Sequence, residues 1–150
     1  MVETVPEALA RFQEFLRREG HRVTRARLLI AEAALRRQGH FTVLDLWDSP
    51  RGRGASVATV YRTLELLAEA GLVRRCSLAG TAGAVYETLL GRIQPHGHLV
   101  CRRCGRVAEF GYAELEGKLR AIAAARGFTL EEVVIQGVGL CPACQREARP

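Results

Sequence analysis

The stretch SVATVYRTLELLAEAGLVRRC, residues 56–76, changes its hydrophobic period at Gly71. Before this glycine, apolar residues recur every three or four positions, which predicts a helix over 57–70 capped by Ser56. After it, the alternation in LVRRCSL predicts a strand, and a second strand, AVYETLL, follows the small-residue turn AGTAG. We therefore expect a helix that leads directly into a two-stranded hairpin.

The predicted helix over 57–70 has an apolar face and a small, polar face. The apolar residues at helical spacing, expected to be buried, are Val57, Val60, Leu64 and Leu67. The outward residues are Ala58, Thr59 and Arg62. Tyr61 lies beside the apolar stripe, so we expect only its phenol tip to reach solvent. A small outer face with an arginine is suited to close approach to a DNA groove.

Three further helices are predicted upstream. Segments 6–19 and 25–38 have helical spacing, and the threonine before the second one caps it. Thr42 and Asp45 form a capping box for a short third helix, which places His40 at the start of that helix. Helices followed by a hairpin are typical of a winged helix-turn-helix domain, whose last core helix enters the major groove. A packed helical domain without a DNA role is the alternative.

The segment GRIQP, 91–95, predicts a connector between two domains, residues 1–90 and 91–150. In the second domain, HLVC and RVAEF are predicted strands, and YAELEGKLRAIAAARG is a predicted amphipathic helix. Its apolar positions are Leu115, Leu119 and Ile122. One or two more strands precede CPAC. The predicted fold class is α+β, with a winged helix followed by a small α/β domain.

Composition favours a protein that binds nucleic acid. The chain has 150 residues, 48% of them hydrophobic, and a net charge of +6, with 21 Arg and a single Lys. Residues 20–62 hold eight Arg and three acids, so positive charge is densest in the first half. No run of 18 apolar residues and no signal peptide is recognisable, so we expect a cytoplasmic protein that does not enter membranes.

Four of the five cysteines form two C-x-x-C pairs. Cys101 and Cys104 are separated from Cys141 and Cys144 by 36 residues. Two such pairs supply the four thiolates of a tetrahedral structural zinc site, which has no open position for catalysis. The alternatives are a redox dithiol or four unconnected thiols. We expect structural Zn(II).

A second group of potential ligands carries no sulfur. His96 and His98 lie two positions apart in a predicted strand, so both imidazoles face the same side. Glu87 lies on an apolar strand face, where a carboxylate needs a cation or hydrogen bonds. Together with His40 and Glu109 they offer three nitrogens and up to four carboxylate oxygens. Taken singly, a surface glutamate and a solvated loop histidine are the more common interpretation of such residues.

Together these segments resemble a known family. TVYRTLELLAEAGLV after a basic helix, then YE, HGHLVCRRCGRVAEF and CPAC, resemble the ferric uptake regulator family of bacterial metal-responsive repressors over about residues 7–145. The resemblance implies a homodimer whose winged helix binds a palindromic DNA operator and whose C-terminal domain mediates dimerisation and holds structural zinc.

The resemblance also implies the roles of particular residues. A regulatory ion between the domains is carried over to His40, Glu87, His96, His98 and Glu109, with Fe(II) favoured and Mn(II) or Zn(II) possible. DNA contacts are expected from Tyr61 and Arg62, with Arg22 near the backbone or minor groove. The recognition surface on this helix is completed by Ser56, Ala58 and Thr59.

Some positions depart from the family pattern. Where many members have a further metal site, this chain has Pro95, Gly97 and Val133, with Glu116 the one residue able to ligate, so we do not expect that site. Peroxide-sensing members typically have aspartates in place of Glu87 and Glu109. Zinc-sensing members often have a cysteine in the regulatory site; we interpret Cys76 as a half-buried strand residue, which leaves zinc sensing open.

Two other functional classes remain as alternatives. A zinc hydrolase would use the His/Glu cluster with a bound water, but the chain has no H-E-x-x-H or comparable motif. A small protein-interaction module stabilised by zinc would not bind DNA. We do not expect an enzyme, and metal-dependent DNA binding would separate the three classes.

Overall fold

The computed structural model describes residues 3–52, 54–80, 83–91 and 96–147. The chain divides into two compact units, Met1–Ser77 with Ala82–Gly91, and Leu78–Thr81 with Arg92–Pro150. The connector predicted at 91–95 lies outside the described residues apart from Gly91, as does part of the predicted turn AGTAG. No helix in the described ranges is long and apolar enough to cross a membrane.

The described part of the first unit contains four helices and a three-stranded sheet. The elements are α1 (Val5–Arg18), α2 (Arg25–Leu35), β1 (His40–Thr42), α3 (Val43–Trp47), α4 (Val57–Glu69), β2 (Val73–Cys76) and β3 (Val85–Thr88). Side-chain caps fix where the helices begin, because an oxygen accepts an otherwise unpaired backbone N–H. Thr24 accepts from Arg27 at 3.3 Å and Ser56 from Thr59 at 3.1 Å. The predicted capping box of Thr42 and Asp45 is confirmed.

The helices pack around one apolar core. Fully buried side chains from α1, α2 and α4 include Phe12, Leu16, Ile30, Leu64 and Leu67. Tyr86 of β3 closes the core from the sheet side, its ring stacked with Phe41 at 6.3 Å between centroids. Its hydroxyl donates to Glu65 of α4 at 2.7 Å, which satisfies the buried polar atom. Helix α4 is thereby fixed between the core and the hairpin.

The sheet of the first unit has the order β1-β3-β2, with both pairings antiparallel. The predicted hairpin is confirmed as β2 and β3. Strand β1 was not predicted: His40 begins a strand, and the short helix starts three residues later. The expectation that His40 lies at the start of the helix was wrong because three residues are too few to show a hydrophobic period.

The second unit is a smaller α/β arrangement. Its elements are β4 (His96–Cys101), β5 (Val107–Gly111), α5 (Ala113–Ala125), β6 (Gln136–Gly139) and α6 (Pro142–Glu147). Strand β4 is central, antiparallel to β5 and parallel to β6. The hairpin residue Ala79 groups with this unit, and its N–H donates to the Gln136 side chain at 3.0 Å. The apolar residues of α5 are exposed by 41–49%, so they do not pack onto a core in the single chain.

Two helix predictions need correction. Val57 is 41% exposed, so it is not buried with Val60, Leu64 and Leu67 as predicted. Thr63 and Leu66 of α4 are buried in addition. Val57 occupies the first turn of the helix, beside the Ser56 cap. Tyr61 lies one turn further on and is also 41% exposed, so more than its phenol tip reaches solvent. Helix α2 ends at Leu35 instead of residue 38, because Arg36 is its C-cap and Arg37 bonds to the Asp45 carbonyl oxygen.

Gly97, between the two histidines of β4, is expected to tolerate no side chain. A Cβ atom there would lie 2.5 Å from the Phe110 ring and 2.9 Å from the Ile135 carbonyl oxygen. Gly97→Ala should therefore destabilise the protein by about 1–3 kcal/mol, measured by urea unfolding. Gly111→Ala is the matched control, since nothing lies within 4 Å of its Cβ position. Equal unfolding midpoints for the two variants would contradict this packing.

Candidate metal centres and nucleic-acid interface

The four predicted zinc ligands come together in the second unit. Cys101 ends β4, Cys104 lies in the turn that follows, Cys141 comes after β6, and Cys144 lies in α6. Their sulfur atoms all lie within 4.8 Å of one another, with Cys104 and Cys141 at 3.7 Å. A tetrahedral zinc ion with bonds of about 2.3 Å places its sulfurs about 3.8 Å apart. The donor set and its spacing therefore fit a closed four-thiolate zinc site.

Backbone N–H groups favour the thiolate form of two of these cysteines, Cys101 and Cys141. The N–H of Cys141 donates to the Cys101 sulfur at 3.3 Å. This bond, with a second from the Cys104 N–H, lowers the pKa of Cys101 to about 6. Burial and the neighbouring thiols raise the pKa of Cys144 to about 12. Metal binding at such a site releases protons, because thiolate is the ligand form.

The first unit holds two of the predicted regulatory ligands as cross-strand neighbours. His40 of β1 pairs in register with Glu87 of β3, and its Nε2 lies 3.4 Å from Glu87 Oε2. Glu87 is fully buried, with 0% of its side chain exposed. A buried carboxylate is stable only if charge or hydrogen bonds offset its desolvation. The His40–Glu87 pair is thus a nitrogen and oxygen donor set held by strand register.

Sequence reasoning missed the residue on the other side of Glu87. Arg74 of β2 pairs in register with Glu87, and its Nε donates to Glu87 Oε1 at 2.8 Å. Its Nη2 bonds to the same oxygen. His40, Glu87 and Arg74 therefore form one row of polar side chains across the three strands. The signal was present in the sequence, since a carboxylate on an apolar strand requires a partner and the hairpin partner strand carries arginines.

Cys76, the fifth cysteine, lies on the same sheet face. It is a half-buried residue of β2, as predicted, and pairs in register with Val85 two positions before Glu87. Burial, followed by the Glu87 charge, raises the pKa of the Cys76 thiol to about 12. Metal ligation requires thiolate. Burial and the neighbouring carboxylate therefore both disfavour the thiolate form of Cys76.

The remaining predicted regulatory ligands lie in the second unit. His96 and His98 share one face of β4, with ring centroids 5.2 Å apart. His98 pairs in register with Glu109 of β5 on one side and with Gln136 of β6 on the other. Strand period and register together therefore hold two imidazoles and a carboxylate on one sheet face. This is a second nitrogen and oxygen donor set.

Most of the residues predicted to contact DNA lie on the outer face of α4. Ser56, Ala58, Tyr61 and Arg62 are exposed, and Thr59 is half-buried. Ser56 and Thr59 also bond to each other at 2.9 Å through their hydroxyls, so they form the N-terminal cap of the helix. Arg62 Nε donates to the Ala58 carbonyl at 3.3 Å. Arg22 lies exposed between α1 and α2.

Sequence comparison establishes the family. The sequence model of the ferric uptake regulator family matches residues 18–137. The ferric uptake regulation protein of Campylobacter jejuni is 32% identical over 143 residues, covering 93% of this chain and 89% of that protein. The chain belongs to the ferric uptake regulator family. Members of this family are metal-responsive transcription regulators, and zinc hydrolases are a different class of protein.

Solved structures of family members have the same fold. The Helicobacter pylori ferric uptake regulator aligns with a TM-score of 0.82 at 22% identity, covering 96% of this chain and 95% of that one. A zinc uptake regulator solved with zinc and DNA aligns with a TM-score of 0.60 at 31% identity, covering 98% of this chain and 99% of that one. The α+β fold of this family member, with its winged helix and four-cysteine cluster, is therefore established.

Proposed function

We propose that this chain is a metal-dependent DNA-binding repressor that acts as a homodimer on a palindromic operator. A divalent ion, with Fe(II) favoured, is bound by His40, Glu87, His96, His98 and Glu109 and promotes operator binding. Zn(II) at the four cysteines has a structural role. The observation that carries the proposal is the division of the nitrogen and oxygen donors, with one set held by strand register in each unit.

The bound ion would supply a link between ligands that belong to two separate units. In the proposal, residues 1–90 bind DNA and residues 91–150 form the dimer. If the linked arrangement is also the one that DNA selects, ion and DNA raise each other's affinity by the same factor. Such coupling is typically about 5–150-fold. His40 and Glu87 then couple metal binding to the domain that carries α4.

The ligand types favour an intermediate divalent ion. Imidazole and carboxylate suit Fe(II), Mn(II) and Zn(II), and affinity alone would favour zinc or copper over iron. Fe(II) is favoured here because the ferric uptake regulation protein of Campylobacter jejuni matches nearly the whole chain. Zinc sensing is the principal alternative, because the zinc uptake regulator solved with zinc and DNA has comparable identity. Manganese or peroxide sensing is a further alternative.

Exposed apolar side chains in the second unit support self-association. Leu115, Leu119 and Ile122 line one side of α5 and are 48%, 41% and 49% exposed. Apolar residues that share a helix face and lack a core of their own are typical of an interface. A second copy of the chain covers such a face symmetrically and also presents two copies of α4 to two operator half-sites. Analytical sedimentation of the zinc-loaded protein measures whether the chain is a monomer or a dimer.

The test is DNA binding at controlled metal concentration. Zinc-loaded protein is titrated onto a fluorescent palindromic duplex, selected from a random pool, with Fe(II) under anaerobic conditions, Mn(II), added Zn(II) or chelator. We expect Fe(II) to lower the Kd for the duplex by at least about tenfold. Equal affinity in all conditions would remove the regulatory role of the second site. No DNA binding in any condition would favour the protein-interaction module.

Arg62 is expected to contribute directly to DNA affinity. Arg62→Ala should weaken binding of the metal-loaded protein by about tenfold, and the slope of log K against log salt should fall by about 0.9 if the contact is to a phosphate. Arg102→Ala is the control, because it removes the same charge from an exposed position in the second unit, outside α5. Equal losses for the two variants would indicate an effect of net charge and would contradict a contact through α4.

A further inference from the structure

An ion pair joins Arg74 of β2 to the buried side chain of Glu87 in β3. Two nitrogens of the Arg74 guanidinium, Nε and Nη2, donate to the same Glu87 oxygen, Oε1. The other oxygen, Oε2, faces His40 Nε2 at 3.4 Å. Each oxygen of this buried ligand therefore already has a partner within the first unit. An ion that takes a Glu87 oxygen must share it with one of these partners or displace that partner.

The two members of the pair differ in their freedom to move. The Glu87 side chain has no exposed surface, while 35% of the Arg74 side chain is exposed. Arginine is always protonated, and its long aliphatic stem allows the guanidinium to reach water without movement of the strand. Glu87 has no such route. When a second cation arrives, Arg74 is therefore the partner that can withdraw.

We propose that Arg74 is a resident counter-ion of Glu87 that competes with the regulatory ion and sets the metal concentration at which the site fills. This inference rests on the proposed function, because it takes Glu87 as a ligand. Before metal binding, the guanidinium compensates the buried negative charge. Afterwards the divalent ion does so, and a guanidinium held at the same carboxylate repels the ion. Arg74 thus weakens metal binding while it stabilises the metal-free form.

A different role for Arg74 predicts the opposite effect. If the arginine only orients Glu87, by holding Oε1 so that Oε2 is available to the ion, its removal weakens metal binding. If it competes, its removal strengthens metal binding. The sign of the change in metal affinity therefore decides between the two roles. Mn(II) is the appropriate probe, because thiolate sites disfavour it and it reports on the nitrogen and oxygen ligands.

The experiment measures free Mn(II) by electron paramagnetic resonance during titration of the zinc-loaded full-length protein, without DNA. Arg74→Met should lower the Kd for Mn(II) by about tenfold, comparable to the effect of one charge at 4–6 Å on a proton equilibrium. Arg75→Met is the matched control, since Arg75 is the exposed neighbour in β2 and pairs in register with Tyr86. We expect the Kd of the Arg75→Met variant for Mn(II) to change by less than about twofold.

A double-mutant cycle assigns the effect to Glu87. In a Glu87→Gln background the carboxylate charge is absent, so Arg74→Met should no longer tighten Mn(II) binding. Arg74→Lys is the second variant, used if Arg74→Met does not fold without metal. It keeps the positive charge at this position but loses the planar guanidinium. It should tighten binding by less than Arg74→Met does.

The outcomes separate this inference from the function on which it rests. If the wild-type protein binds Mn(II) and Arg74→Met and Arg74→Lys bind it equally or more weakly, competition by Arg74 is wrong and the regulatory site stands. If the zinc-loaded wild-type protein binds no Mn(II) and no Fe(II), the proposed function itself fails. Tightening that persists in the Glu87→Gln background would place the effect elsewhere and overturn the proposal.

Discussion

Cys104→Ser is expected to release zinc from the second unit and to unfold it. Zinc at a four-thiolate site contributes on the order of 10 kcal/mol to folding, comparable to the whole stability of a small domain. The unit needs this contribution because its described ranges bury few large side chains, chiefly Leu78, Val100, Tyr112 and Val133. Serine is close in size to cysteine but is a poor zinc ligand, so the loss is chemical and not steric.

Zinc content and thermal unfolding measure this effect together. Wild-type protein should bind one tightly held zinc ion per chain, and Cys104→Ser less than half of that, with loss of the circular dichroism of the second unit. Cys76→Ser is the matched control, because Cys76 lies in β2 of the first unit and outside the four-sulfur cluster. Unchanged melting of Cys104→Ser would count against the structural role of the cluster.

The starts of three helices were accessible from the sequence because they depend on local chemistry. Thr24, Thr42 and Ser56 each accept a backbone N–H within three residues, and a cap of this kind can be read from neighbouring residues alone. The hairpin was accessible for the same reason, since a period of two on both sides of a glycine-rich turn indicates two strands. Strand β1 was not, because it is short and its pairing partner lies more than 40 residues away.

The metal-ligand candidates were predicted by residue type, while their partners required the strand register. The C-x-x-C spacing is a local pattern, and the sulfur cluster confirms it. The contact of Glu87 with Arg74 depends on how β2 and β3 align, and a shift of one residue would place Arg75 there instead. The exposure of Val57 also escaped prediction, because periodicity gives the apolar face of a helix but not where the core ends.

His98→Ala is the second large effect that we expect. His98 is 5% exposed in the central strand β4, with register partners on both sides, so it is the imidazole whose position the fold restricts most. Loss of this ligand should abolish the increase in DNA affinity on addition of Fe(II), a change of about 5–150-fold at saturating metal. DNA binding without metal should keep its wild-type value, because α4 lies in the other unit.

The measurement is fluorescence anisotropy of the duplex with and without Fe(II), for His98→Ala and for a control histidine variant. His21→Ala is that control, because His21 is exposed and follows α1 in the first unit. His98→Ala must retain its zinc and its melting transition, since its proposed role differs from that of the four cysteines. Metal-enhanced binding that survives in a folded His98→Ala variant would show that the ion acts without this ligand, and the division of roles between sulfur and imidazole ligands would then be wrong.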